Sequence, residues 1–324
     1  MKMGFRLAPL LMPLLMNLLL GACTQLAKPP ETPEAGNRQP VAEHISNWLP
    51  GAYSNFAQTH EDDTAKPVTD VKIRKLKTAG EPVFLLESQQ RDSSASVYDI
   101  YWLKLNQGTQ EIELHFAHLR ADELTLAIPD VLAAAWQRVV PGCVIVMSQS
   151  GELLEGRSNP QTCFFEHLLQ GETRLERFLS LGAETLNIEN TLTVPAGQVP
   201  VQSVLLKLQK HHTFEGWAST RTPAGPDQDR PGEWQLSNVF NIRDDGRINR
   251  LYDTEMNAMQ YGLQLAKLPW REGEPPYMLL SIINMEHQAI QGYSWFEPES
   301  ESINLNLDWF QTNLEAVKQA GPEP

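Results

Sequence analysis

Positive charge is scarce in this sequence: 26 Lys and Arg stand against 40 Asp and Glu in 324 residues, a formal net charge of −14. That balance argues against nucleic acid and against electrostatic adhesion to anionic lipid, both of which need clustered basic side chains. Cysteine is scarcer still, with Cys23, Cys143 and Cys163 alone and no C-x-x-C pair. Also missing are a phosphate-cradling G-x-x-x-x-G-K-[ST] loop, a G-x-S-x-G nucleophile elbow and an H-E-x-x-H metal helix. Their absence removes the strongest local signatures of nucleotide enzymes, serine hydrolases and metalloproteases, and no metal site is expected.

A long apolar run occurs only at the start. Lys2 and Arg6 introduce LAPLLMPLLMNLLLGAC, which is too short and too broken by Pro9 and Pro13 for a membrane span and reads as an export signal. Its end, Leu20-Gly21-Ala22-Cys23, resembles the bacterial lipobox. The resemblance implies removal of residues 1–22, acylation of Cys23 and anchoring of the chain to a membrane through acyl chains. An ordinary signal peptide with an incidental cysteine is the alternative. Thr24, where an inner-membrane retention signal would have Asp, points to the outer membrane of a cell envelope, on the periplasmic side. Cleavage would remove Lys2 and Arg6 and leave 24 basic residues against 40 acidic.

Residues 23–40 are rich in Pro, Glu, Gly and Gln, lack apolar periodicity and read as a tether. The remainder, 41–324, is long enough for one large or two modest cores. In VAEHISNWL, Val41, Ile45, Trp48 and Leu49 fall on one helical face, and Pro50-Gly51 ends the helix. Short β-like runs follow, among them PVFLLES, SVYDIYWLKL, EIELHFAHL, CVIVMS, ETLNIENTLTV and VQSVLLKLQ, separated by turn signals such as Gln149-Ser150-Gly151. A short helix is expected after Pro129. Many strands with few helices between them predict a mainly β fold, a meandering antiparallel barrel over 41–210. A β-rich region, 211–324, continues it as a second domain or as an extension. There VFNIRDDGRINRLYD predicts a hairpin about Asp245-Gly246, and LDWFQTNLEAVKQA predicts a closing helix capped by Asp308, with Leu307, Phe310, Leu314 and Val317 on one face.

Two motifs carry a family resemblance. WLPGAYSNFAQ, with Gly51, Ser54, Asn55 and Gln58, and PGCVIVMSQSGELLEGRSNPQTC, with Pro141, Gly142, Cys143, Gly151, Gly156 and Cys163, resemble the CpcT/CpeT chromophore lyase family over about residues 43–205. The resemblance implies a lipocalin-like antiparallel barrel, and an activity that attaches linear tetrapyrroles to cysteines of phycobiliproteins. Phycobiliproteins assemble in the cytoplasm, whereas an acylated Cys23 places this chain outside it. The first expectation is therefore a lipid-anchored protein that binds a hydrophobic or tetrapyrrole-like small molecule in a barrel cavity. The alternatives are a bilin lyase and a structural envelope lipoprotein without ligand.

Candidate ligand contacts are Asn55 of the first motif, Tyr101, Glu113 and His115 of the central strand pair, and Arg157 of the second motif. Tyr101 shares a strand face with Asp99 and Leu103, while Glu113 and His115 oppose Ile112, Leu114 and Phe116; polar-out alternation would instead put Glu113 on the solvent side. His115 and His118 lie on opposite faces of a strand, and the adjoining His211 and His212 are expected at the surface, so neither pair makes a metal site.

With Cys23 consumed by acylation, Cys143 and Cys163 are an even pair in an oxidising compartment and are expected to form a structural disulfide. If 143–148 and 152–157 are a hairpin and Cys163 opens the next strand, the two lie two strands apart, about 9–10 Å between Cα atoms and beyond ordinary reach unless the loop bends. Two buried free thiols are the alternative.

Overall fold

The computed structural model describes residues 38–61, 67–78, 80–109, 111–119, 121–125, 142–165, 173–193, 200–221, 232–269 and 276–318. Cys23, the tether and the segment after Pro129 lie outside them. Helix α1 (Arg38–Trp48) places Val41 and Ile45, followed by Leu49, on one buried face. Carbonyls at a helix C-terminus have no partner within the helix. Here the Tyr53 hydroxyl donates to the carbonyls of Trp48 (2.6 Å) and Leu49 (3.1 Å), and Lys210 Nζ donates to that of Trp48 (3.1 Å).

The chain then winds through β1 (Gly51–Ser54), helix α2 (Phe56–Glu61), β2 (Thr69–Leu76), β3 (Val83–Gln90), β4 (Ser96–Leu105), β5 (Ile112–Leu119), β6 (Val144–Ser150), β7 (Leu153–Ser158), the two-residue β8 (Phe164–Phe165), β9 (Thr173–Leu181), β10 (Thr185–Thr193) and β11 (Pro200–Lys210). Successive strands pair antiparallel, β7 pairs β9, β9 pairs β10, and β11 returns to β1. Ten strands thus close into a barrel, with β8 beside β9. Closure leaves none of the ten with an open edge.

Alternation decides what fills the barrel. Ile112, Leu114 and Phe116 of β5, Tyr101 and Leu103 of β4, Ile145 and Met147 of β6, and Leu179 and Leu181 of β9 join one apolar core together with Val41, Ile45 and Leu49. Helix α1 enters where β1 begins and packs on β5 and β6, so that end of the barrel is filled by side chains. Strands β3 to β5 break the simple pattern. Their outward residues Val83, Leu85, Ile100, Trp102, Ala117 and Leu119 are also buried, in a small outer cluster with Leu124 of the 3₁₀ turn Ala121–Thr125.

Eight further strands make a β-sandwich with its own core of Phe214, Val239, Leu263, Leu280, Phe310 and others. They are β12 (Thr213–Arg221), β13 (Trp234–Arg243), β14 (Asp245–Tyr252), β15 (Ala258–Pro269), β16 (Pro276–Asn284), β17 (Ala289–Phe296), β18 (Ser302–Asn306) and β19 (Phe310–Ala316). One sheet has the order β13-β12-β19-β18 and the other β14-β15-β16-β17.

Two expectations are corrected in the sandwich. The segment opening at Asp308 is the strand β19, not a closing helix. Phe310, Thr312 and Leu314 alternate inward, Val317 is exposed, and pairing to both β12 and β18 decides between two periods that a short apolar run satisfies equally. The stretch about Asp245-Gly246 is not a hairpin either, because β13 and β14 belong to different sheets. Gly246 does have a positive φ of 88°, but the chain crosses between sheets at Asp244. That residue is buried, and its carboxylate accepts the backbone N–H of His212 at 2.7 Å.

His211 and His212 join barrel to sandwich. His211 is 4% exposed, contrary to its expected surface place, because its backbone donates to Ala52 at 2.9 Å and ties it to the barrel wall. Burial is the main force that drives its imidazole down to about 4. Across the same junction Arg247 pairs with Asp70 and donates to Ser54 Oγ at 2.6 Å, while Arg243 lies 2.7 Å from Asp70. Burial alone would raise the Asp70 carboxyl, but the two guanidinium groups hold it at about 2. Lys267 joins Glu184 of the barrel (2.9 Å) to Asp244 (3.4 Å).

Candidate functional site

The sequence TRLERFLSL of β9 sends Leu175, Leu179 and Leu181 into the barrel core. Period-two alternation sends Arg177 the same way. Its side chain is only 12% exposed. A guanidinium in such a place must be paired, since moving an unpaired charge out of water costs many kcal/mol. Its partners come from other walls. Nη1 donates to Asp99 Oδ2 (3.2 Å) and to the Tyr101 hydroxyl (2.8 Å), both on β4, and Nε donates to Asn190 Oδ1 (2.8 Å) on β10. The guanidinium also lies over the Phe116 ring, 4.3 Å from its centroid. Three strands separate β4 from β9 around the wall, so Arg177 spans the lumen.

This polar crosspiece lies toward the end where β4 begins and β5 finishes, opposite the end that α1 fills. His118, exposed at that rim, brings Nδ1 to 3.2 Å from Asp99 Oδ1. Burial would raise the Asp99 carboxyl, yet the charge of Arg177 and the hydrogen bonds from His118 and Arg177 keep it below the usual carboxylate range. Burial opposes the Arg177 charge, but Tyr101 and Asp99 more than offset it and the group is held more firmly protonated than usual. Burial pushes the Tyr101 phenol up to about 12. Asp99, Arg177 and Tyr101 therefore keep their charge states through neutral pH, and the cluster is built to hold and orient rather than to pass protons. Among the described residues Arg177 Nη2 makes no hydrogen bond, and the Tyr101 hydroxyl, already accepting from Arg177, has no acceptor for its own proton. Two donors at this crosspiece thus have no acceptor among the described residues.

The five candidate contacts are not gathered in one place. Tyr101 faces the lumen. Asn55 is fully buried beside β2, with Oδ1 accepting from Thr69 N (2.6 Å) and Nδ2 donating to the Pro67 carbonyl (3.2 Å), and it pins the start of that strand. Glu113 and His115 point outward because Ile112, Leu114 and Phe116 take the inward positions. Glu113 accepts from Asn106 (2.6 Å) and meets His115 Nε2 (2.9 Å), and the His115 ring stacks on Trp102 at 5.5 Å. Arg157 is also outward, over half exposed, paired with Glu176 (3.0 Å) and stacked on Phe178 (4.3 Å). The residue that sequence reasoning missed is Arg177. Its signal was present in the alternation Leu175, Arg177, Leu179, Leu181, where an arginine occupies the apolar register.

Cys143 and Cys163 are joined by a disulfide with Cα atoms 4.4 Å apart. The separation expected for strands two apart does not arise, because β8 does not lie beyond β7. Both pair with the same edge of β9, so β8 continues β7 in line and Cys163 is one strand from β6. The intervening turn is held by Cys163 N donating to the Asn159 carbonyl (2.9 Å) and Thr162 Oγ1 to the Gly142 carbonyl (3.1 Å). Gly142 has a φ of 106°, and a Cβ there would lie 2.6 Å from Thr162 Cβ, so the close approach requires glycine.

No protein-family model matches the chain, and no curated protein sequence does. Solved structures do. One is the T-type phycobiliprotein lyase CpeT from Prochlorococcus phage P-HM1, at 14% identity and a TM-score of 0.35, over 52% of this chain and 97% of that one. Another is the CRL protein of Arabidopsis, at 12% identity and 0.39, over 53% and 98%.

Proposed function

We propose that the chain is a ligand-binding barrel protein, held at a bacterial envelope membrane by an acylated Cys23. It takes a small apolar molecule with an acceptor-rich head group, such as the carboxylate of a tetrapyrrole-like acid, into the rim end of the barrel. Arg177 carries this reading. A buried ion pair is seldom the most stable filling for a core, and well-packed apolar side chains of similar volume often do as well or better. A guanidinium spanning the lumen with donors left over is accounted for by a ligand that uses them. Arg177 Nη2 and the Tyr101 hydroxyl would receive the head group while Phe116 and Leu175, toward the rim, meet the apolar body.

Organic extraction of the purified, folded protein tests this. The expected result is about one equivalent of a small apolar acid or carbonyl compound by mass spectrometry, reduced in Arg177→Lys. A clean extract from wild-type protein expressed in its own host counts against it. A covalent bilin adduct on an acceptor protein, formed when the chain is supplied with bilin, would move the reading from carrier to lyase.

A further inference from the structure

The outer face of the sandwich sheet β13-β12-β19-β18 combines exposed apolar side chains with rows of uncharged polar ones. Strand register lays residues in rows across all four strands. One row runs Asn238, Trp217, Asn313, Asn304; the next runs Leu236, Ser219, Gln311, Asn306. Neither row contains a charge. Charged side chains border them, Arg221 on one side and Glu215 with Glu315 on the other. Trp217, Trp234, Leu236 and Phe240 are exposed, at 37%, 44%, 45% and 65%. Exposed apolar groups gathered on one face and rimmed by polar residues mark an interaction site.

The chemistry of the rows narrows the partner. A carboxamide offers donors and an acceptor without charge, as a hydroxyl does. A flat indole offers a face that attracts polarised C–H groups. The Oδ1 of Asn313, beside Trp217, is buried and has no hydrogen-bond donor among the described residues. A partner that matches must present flat apolar faces edged by hydroxyls and carry little charge. A polyanion is disfavoured by the net charge of −14. A second copy would have to bury the amide rows against themselves.

We propose that this face binds a neutral glycan chain laid across the four strands, with Trp217 stacked on a sugar ring and the amides of Asn238, Asn313 and Asn304 exchanging hydrogen bonds with ring hydroxyls. The site is separate from the barrel lumen and does not depend on its ligand.

Calorimetric titration of the full chain with chitohexaose and with cellohexaose, alongside retention on insoluble chitin and cellulose, provides the test. At least one glycan binds, and Trp217→Ala and Asn304→Ala each weaken it, the tryptophan change by about tenfold or more. Asn304 is exposed, so Asn304→Ala melts near wild type; Trp217→Ala is checked for native fold by circular dichroism before titration. Arg177→Lys leaves glycan affinity unchanged, which separates this site from the barrel. The proposal is overturned if neither glycan binds in any format or if binding survives both surface changes. It is equally overturned if Trp217→Ala instead dissolves a dimer seen by sedimentation.

Discussion

Arg177→Met is expected to lower the stability of the barrel by about 3–5 kcal/mol, because it leaves Asp99 charged and buried with its main partner gone. Pairing it with Asp99→Leu should recover much of the loss, since the double change removes both charges and fills the lumen with apolar atoms. Chemical denaturation of the two variants measures this. The pH dependence has a definite sign. Asp99 is held below its usual range in the folded protein, so the stability it contributes is present above its unfolded value and is lost as pH falls through the lower folded value. In Arg177→Met burial pushes the same carboxyl upward. It then takes a proton at higher pH, which relieves the buried charge, so the deficit of the variant is largest near neutrality and shrinks on acidification. A deficit that is independent of pH, or a double variant no better than the single one, contradicts the coupling.

Loss of the Cys143–Cys163 bridge is the second large effect. The bridge closes a loop with a sequence separation of 20, for which chain entropy in the unfolded state gives about 3 kcal/mol. Cys143→Ala/Cys163→Ala should therefore melt about 6–12 °C lower in the barrel. The sandwich has a separate hydrophobic core, so its calorimetric transition should stay where it is. Equal movement of both transitions would show that the two cores unfold as one cooperative unit, and no movement would show that the bridge does not constrain the loop.

Much of the barrel was legible because its strands bury one face. In IELHFAHL the alternation sets Glu113 and His115 on the face opposite Ile112, Leu114 and Phe116, and the structure turns that face outward, so these two candidate contacts do not reach the lumen. The same rule places Tyr101 with Asp99 inside. It is silent on whether the outer face meets water, which is why the burial of Ile100 outside the barrel is visible only in the fold. Arg177 escaped because a charged residue reads by default as solvent-facing, and only the leucines two residues away on each side betray its register. The 308–317 segment fits a helix and a strand equally well by spacing, and its partners β12 and β18 are remote in sequence or too short to signal. The disulfide geometry could not be reached from spacing because it turns on β7 and β8 sharing one edge of β9, a tertiary pairing.

The role of Arg177 as a ligand anchor is measured by a spectroscopic titration with biliverdin, an apolar pigment with carboxylates, comparing wild type with Arg177→Lys. Lysine keeps a positive charge beside Asp99 but loses the planar fork of donors. Wild type should bind saturably and the variant at least about tenfold more weakly, with both proteins melting within a few degrees of each other. Absence of binding by folded wild-type protein, or equal affinity in the two, would contradict the assignment of Arg177 as the anchor of a ligand in the barrel.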